Sequence, residues 1–160
     1  MTLVDPSWAD FEAAVPEMAA AARALLYAHG IGLAYVATIR PGGGPRLHPF
    51  CPILAEGGLW GFINRGSPKG RDLARDGRYA IHAFPNGRND DELMIDGRAA
   101  PCEDEAIADA VRATYGATYQ TPSEEMLFEF RIERALLATY DEQSTWPPVY
   151  TKWSARSPSA

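Results

Sequence analysis

The chain has 160 residues, room for one domain with one substantial core, and its 46% hydrophobic and 22% charged residues are those of an ordinary globular protein. No stretch approaches the roughly 20 unbroken apolar residues of a spanning helix, and the acidic, proline-interrupted start MTLVDPSWADFEAAVPEM is unlike a secretory signal, so a cytoplasmic location and no membrane partner are expected. A net charge of −6 repels nucleic acid, and any phosphate ligand must therefore be met by a local basic cluster.

Residues 8–29 are Ala-rich, with Phe11, Met18, Ala22, Leu25 and Leu26 spaced to share one helical face and Gly30 placed as a C-cap. Pro16 predicts a kink, or a short lead-in followed by a main helix that starts at the proline. IGLAYVATIR (31–40) reads as a strand and PGGGPR as a turn. RLHPFCPIL (46–54) alternates in part and carries two prolines, which suits an edge, a bulge or a strand that bends. AEGG (55–58) is a hairpin turn predicted to pair that run with LWGFIN (59–64).

SPKGRDLARD (67–76) reads as a short helix with Ser67 as N-cap and Pro68 in its first turn. RYAIHAF and ELMIDGRAAPC are strands separated by the polar loop PNGRNDDE, and EDEAIADAVRATYG is a helix opened by acidic residues. MLFEFRIERALLATY (126–140) is one long strand or two joined by a bend, and a tail from about 155 to 160 is expected to be loose. Six or seven strands with three peripheral helices make a mainly β, α+β chain: an antiparallel barrel with added helices.

The turn within INRGSPKGRDL (63–73) joins a strand to a helix N-terminus, a place where free backbone N–H groups and the helix dipole favour an anion. Ser67 and Lys69 stand there, flanked by Arg65 and Arg71, and Arg46 comes to the same open end if 46–54 pairs with 59–64. Arg40 either joins them or caps the edge. The same residues also suit a capped surface helix with solvated cations. No GxxxxGK[ST], GxGxxG or GxSxG is present, which argues against nucleotide hydrolysis, Rossmann binding and a serine hydrolase.

His48 and His82 form no HxxxH or HExxH pair, so no metal site is expected, and His29 is read as a charge at a helix C-terminus. NDDE and EDE read as solvated acidic faces. Cys51 and Cys102 read as buried, reduced strand thiols, and the strand aromatics Trp60, Phe62, Tyr79, Phe84, Phe128 and Phe130 mostly as core.

ATIRPGGGPRLHPF, LWGFINRGSPKGRDLARDGRYAIHAF and DELMIDGRA, in that order and spacing across residues 34–104, resemble the pyridoxamine 5′-phosphate oxidase-like FMN-binding split-barrel superfamily. The resemblance implies a single split-barrel domain over 1–160 and a homodimer that binds FMN in a cleft between subunits. It implies a flavin-dependent oxidoreductase acting on a small-molecule substrate, with NAD(P)H as one candidate donor. The flavin phosphate would be held by Arg46, Ser67 and Lys69, and the isoalloxazine lined by backbone of Leu47, His48, Pro49 and Phe50 together with Phe62 and Ile63.

Pro68 follows Ser67 where the oxidase has basic residues, Cys51 ends the second strand where it has another, and Glu92 stands where a glutamine commonly meets the flavin. The B6-gripping tail motif is not evident, although Trp153 is placed to pack near the cofactor. These departures point away from authentic pyridoxamine 5′-phosphate oxidation and toward a divergent flavin reductase. The alternatives are a deazaflavin (F-420) reductase and a non-catalytic flavin- or haem-binding module. The substrate pocket is expected from the N-terminal helix, the PNGRNDDE loop and the C-terminal segment.

Overall fold

The computed structural model describes residues 5–114 and 124–155. Helix α1 (Trp8–Ala14) opens with a capping box in which Ser7 and Asp10 satisfy each other's backbone N–H groups. The chain breaks at Val15, and α2 (Pro16–Leu26) begins with its proline in the first turn, where the missing N–H is no loss. The lead-in is thus a separate helix. Trp8 and Phe11 of α1 and Met18, Ala22 and Leu26 of α2 are buried in the main core. α2 ends four residues before the expected cap: Gly30, at φ +84°, closes a further turn by bonding its N–H to Tyr27 O.

Eight strands follow among the described residues: β1 (Ala34–Ile39), β2 (Pro45–Phe50), β3 (Ile53–Ala55), β4 (Gly58–Asn64), β5 (Arg78–Ala83), β6 (Glu92–Cys102), β7 (Glu125–Thr139) and β8 (Val149–Ser154). Helix α3 (Pro68–Arg75) lies between β4 and β5, and α4 (Glu105–Ala113) between β6 and β7. The sheet runs β2-β1-β5-β6-β7-β4-β3, with β8 added beside β7, and every pairing is antiparallel. β7 is one continuous strand. It pairs with β4 at its start, with β6 along its length and with β8 at its end, and a bulge opposite Asp96 and Gly97 absorbs Glu133.

The order places β2 and β3 at opposite ends of the sheet, yet only Cys51 and Pro52 separate them in sequence. Three residue steps reach at most about 11 Å. The sheet must curl until its two ends approach, which makes the split barrel. Gly32 permits the closure, since a Cβ there would fall 1.9 Å from Pro52 O.

The expected hairpin between 46–54 and 59–64 forms only in part. β3 pairs with β4, Ile53 opposite Trp60, whereas β2 pairs with β1, because the chain turns away at Cys51 and Pro52. The strand β8 was not legible: Val149, Tyr150, Thr151 and Lys152 are all exposed and carry no alternation. The expected loose tail lies outside the described residues, apart from Ala155, whose N–H bonds to Glu133 O.

The barrel interior holds Phe50, Leu59, Ile63, Tyr79, Ile81, Phe128 and Phe130, and a smaller cluster of Ile53, Trp60, Ala108, Val111 and Leu127 forms where α4 covers β3 and β4. Of the strand aromatics, Phe84 instead stacks on Tyr35, centroids 4.3 Å apart. Cys102 is half-buried, and Cys51 is exposed in the connector rather than buried in a strand. No helix among the described residues is long and apolar enough to cross a membrane.

Candidate functional site

Two strand edges face the split, and the bonding alternation of antiparallel pairs tells which residues they offer. Arg40 N–H bonds to Gly44 O at 2.8 Å. By alternation Arg46, His48 and Phe50 turn their backbone groups toward β1, while Pro45, Leu47 and Pro49 turn theirs to the open side. The two prolines fit an edge, where no N–H is needed. Leu47 is then the residue of this edge with both a donor and an acceptor to offer. On the other wall, Arg65 N–H bonds to Glu124 O, so Gly61 and Ile63 bond toward β7 and Phe62 presents its peptide groups to the split.

Side chains follow the same alternation. Arg46, His48 and Phe50 point inward, and Leu47 and Pro49 outward into solvent. Phe62 and Ile63 lie on opposite faces: Ile63 is 1% exposed within the core, and Phe62 packs beneath α4 with the Arg112 guanidinium 5.3 Å from its ring centroid. A planar ligand in the split would therefore meet the backbone of Leu47 and Phe62, and the Ile63 side chain is out of reach.

The turn before α3 is organised by Asn64. Its Oδ1 accepts the N–H of Gly66 at 2.8 Å, and its carbonyl accepts both the N–H of Ser67 at 3.1 Å and the Ser67 hydroxyl at 2.7 Å. Ser67 Oγ in turn caps Gly70 N–H at 3.0 Å. The close approach needs Gly70, since a Cβ there would sit 2.3 Å from Asn64 O. The amides of Gly66, Ser67 and Gly70, expected to be free in this turn, are thus taken by the Asn64 side chain, the Asn64 carbonyl and the Ser67 hydroxyl. Cationic side chains stand beside them.

Lys69 is the first of these. It reaches from the first turn of α3 to the free edge of β2, Nζ donating to Pro49 O at 3.3 Å. Burial pushes its ammonium below the ordinary lysine value, against the fields of Cys51 and Glu125 that push it up. Arg46 is the second. Its Nε donates to Asp72 Oδ2 at 2.7 Å, Thr38, its cross-strand neighbour on β1, donates its hydroxyl to the same oxygen at 2.9 Å, and Arg75 reaches the other oxygen at 3.3 Å.

Asp72 is 2% exposed. Burial alone would raise its carboxyl, but the hydrogen bonds from Arg46, Thr38 and Arg75 more than offset that and hold it below the usual carboxylate range. Sequence reasoning missed this hub. The available signal was an aspartate adjoining Leu73 on the buried face of a short helix, between two arginines. Arg75 also donates to Ile39 O, which fastens α3 to β1.

Arg40 does not join the cations: its Nε clamps its own hairpin at Pro45 O, 3.1 Å away. Arg71 bonds back to Gly66 O at 2.6 Å. His48 Nε2 is buried and has no hydrogen-bond partner, and burial, then Lys69 and Arg46, hold the imidazole below its ordinary value. Partial desolvation of its sulfur, although the residue as a whole is exposed, holds Cys51 above the usual thiol range. Among the described residues no group of three His, Cys, Asp or Glu is placed to hold a metal ion.

The remaining expected site residues lie elsewhere. Glu92 lines a cavity of about 320 Å³ with His82, Asp90, Asp91 and Tyr140. Trp153 packs edge-on against Phe11, centroids 5.1 Å apart, and so belongs to the core beneath α1. His29 bonds to Pro85 O at 3.0 Å, tying two loops rather than capping a helix. α2 and the 85–91 loop meet around about 290 Å³, lined by Ala24, Asn86 and Arg88 but not by the C-terminal strand β8. A further cavity of about 750 Å³ lies between α2 and Pro52, Ile53 and Leu54.

The family model of pyridoxamine 5′-phosphate oxidase matches residues 18–142. Among solved structures, the chain is similar to a haem-binding protein of Mycobacterium smegmatis at 22% identity and a TM-score of 0.60, covering 95% of this chain but 60% of that one. A NimC/NimA family protein of Clostridium acetobutylicum gives 16% identity and a TM-score of 0.64 over 83% of this chain and 90% of its own. The haem-storage protein of Vibrio cholerae gives 17% and 0.59 over 74% and 89%. At these identities the likeness shows the fold. Among curated proteins none matches in sequence.

Proposed function

The chain belongs to the pyridoxamine 5′-phosphate oxidase family, and from that premise we propose that it is a flavin-dependent oxidoreductase binding FMN in the split, as a homodimer acting on a small-molecule substrate with a reduced nicotinamide as candidate donor. The observation that carries the reading is the pair of facing free edges, Leu47 and Phe62, with Arg46 and Lys69 beside them. Backbone donors and acceptors suit the polar edge of a flat heterocycle, and two fixed cations suit its phosphate. The donor set therefore fits FMN.

Arg46 is held in place by Asp72, so its remaining guanidinium nitrogens are oriented before any ligand arrives. Lys69 would exchange Pro49 O for a phosphate oxygen, and Ser67 would support the grip as the cap that holds Lys69 at the edge. When bound, FMN supplies the hydride and electron transfer; the chain binds it, orients it and excludes water. The exposed face carrying Tyr35, Leu47 and Met94 supports a dimer surface next to this edge. The deazaflavin remains the alternative coenzyme for the same split.

A haem-binding module is the second reading. It is favoured by the two haem proteins among the similar structures and by the unpartnered imidazole nitrogen of His48. Absorption spectra of the purified protein, alone and after addition of FMN, the deazaflavin or haem, separate the three. Flavin bands near equimolar with the chain are expected. A Soret band with no flavin uptake would replace the proposal by the second reading.

A further inference from the structure

His48 stands among cations, with a buried ring nitrogen that has no hydrogen-bond partner. It follows Arg46 by two residues on the inward face of β2. The charged groups near it are Arg40 and Arg46 from the hairpin and Lys69 and Asp72 from α3. Three of these four are cations, and the single anion is already engaged by Arg46, Thr38 and Arg75. Its buried Nε2 has no partner. A proton on the ring would meet like charges on one side and no acceptor on the other, so the neutral imidazole is favoured while the cations around it outnumber Asp72.

We propose that His48 is the third cation of the phosphate seat, charged only when the seat is filled: a phosphate dianion beside Arg46 and Lys69 offsets the excess of positive charge that Asp72 leaves, and binding then draws a proton onto His48. The inference rests on the phosphate reading above and adds a coupling to it. By linkage, the protonated site binds the dianion more tightly. Affinity is greatest below the free-state titration of His48, falls as pH rises through the window up to its bound-state titration, and levels off above. A rise of one unit between the two states corresponds to about a tenfold loss across that window. The phosphate's own second ionisation, near pH 6, acts in the opposite sense and is common to every variant.

The test is calorimetric titration of the full chain with FMN near neutral pH, in two buffers of different ionisation heat, which counts protons exchanged. Wild type is expected to take up a larger fraction of a proton than His48→Gln, and with riboflavin, which lacks the phosphate, the two are expected to agree. The His48 ring resonance followed by NMR gives an independent readout in wild type, its midpoint moving upward on adding FMN. Equal proton counts in both proteins, or an unmoved midpoint with FMN bound, would overturn the coupling while leaving the flavin reading intact. Failure of wild type to bind FMN would remove both. If His48→Gln does not fold, the NMR midpoint decides alone.

Discussion

The split is flanked by two helices that do the same architectural job with opposite chemistry. α4 covers β3 and β4 through Ala108 and Val111 against Trp60 and Leu127, an apolar contact that any well-shaped hydrocarbon could provide. α3 closes the other side through Asp72, a buried carboxylate answering two arginines and a threonine. Apolar packing fixes a distance, whereas the carboxylate hub also fixes the direction in which a guanidinium points. A corner that must hold a cation ready for a ligand needs the second kind of contact. The wall that only presents backbone can use the first.

Removing the hub should have the largest effect. Asp72→Ala leaves Arg46 and Thr38 without their acceptor and is expected to cost roughly 3–5 kcal/mol in urea unfolding at neutral pH. A loss below about 1 kcal/mol would mean that the two corners do not differ in kind. Because the folded Asp72 carboxyl lies below its unfolded value of about 3.9, its stabilisation is present above that pH and is lost as pH falls below it. The acid limb of wild-type stability should therefore flatten in the variant.

Leu127→Ala, in the apolar corner, is expected to cost roughly 2–5 kcal/mol through its cavity while leaving the acid limb unchanged. A pH-dependent loss there would erase the contrast.

Lys69→Ala sharpens the comparison at the ligand. Equilibrium titration should show FMN weakened by roughly 1.5–3 kcal/mol, the worth of a hydrogen bond to a charged group, with the urea midpoint little changed. Unchanged affinity would take the turn out of the site. Ser67→Ala is the mildest: loss of an N-cap costs about 1 kcal/mol of stability, and a larger effect on FMN than on folding would show that the hydroxyl serves the ligand directly.

Much of this was legible in the sequence because local chemistry decided it. Pro16 divides the N-terminal helices and Ser67-Pro68 starts α3, as cap and first-turn rules require. Strands β5 and β6 follow their apolar periodicity. Non-local facts were hidden. RLHPFCPIL looks like one strand, and nothing local reveals that Pro52 hands the chain from one end of a sheet to the other. β8 is held by β7 and not by its own pattern. Asp72 was not singled out, since its role depends on partners such as Thr38, thirty-four positions away. The cations of the site were readable as a cluster, but Asn64's occupation of the turn amides was not.

The continuity of β7 bears on how the molecule is made. Strands β1, β2, β5 and β6 adjoin one another and can pair as they are synthesised, but the β3–β4 hairpin joins the sheet only through β7. The wall carrying Phe62 thus gains its sheet partner only after residues far downstream leave the ribosome, although Ala9 and Tyr27 already bond to its hairpin. A nascent chain halted before β7 is therefore expected to carry both Arg46 and the β3–β4 hairpin but to lack the strand that joins that hairpin to the sheet.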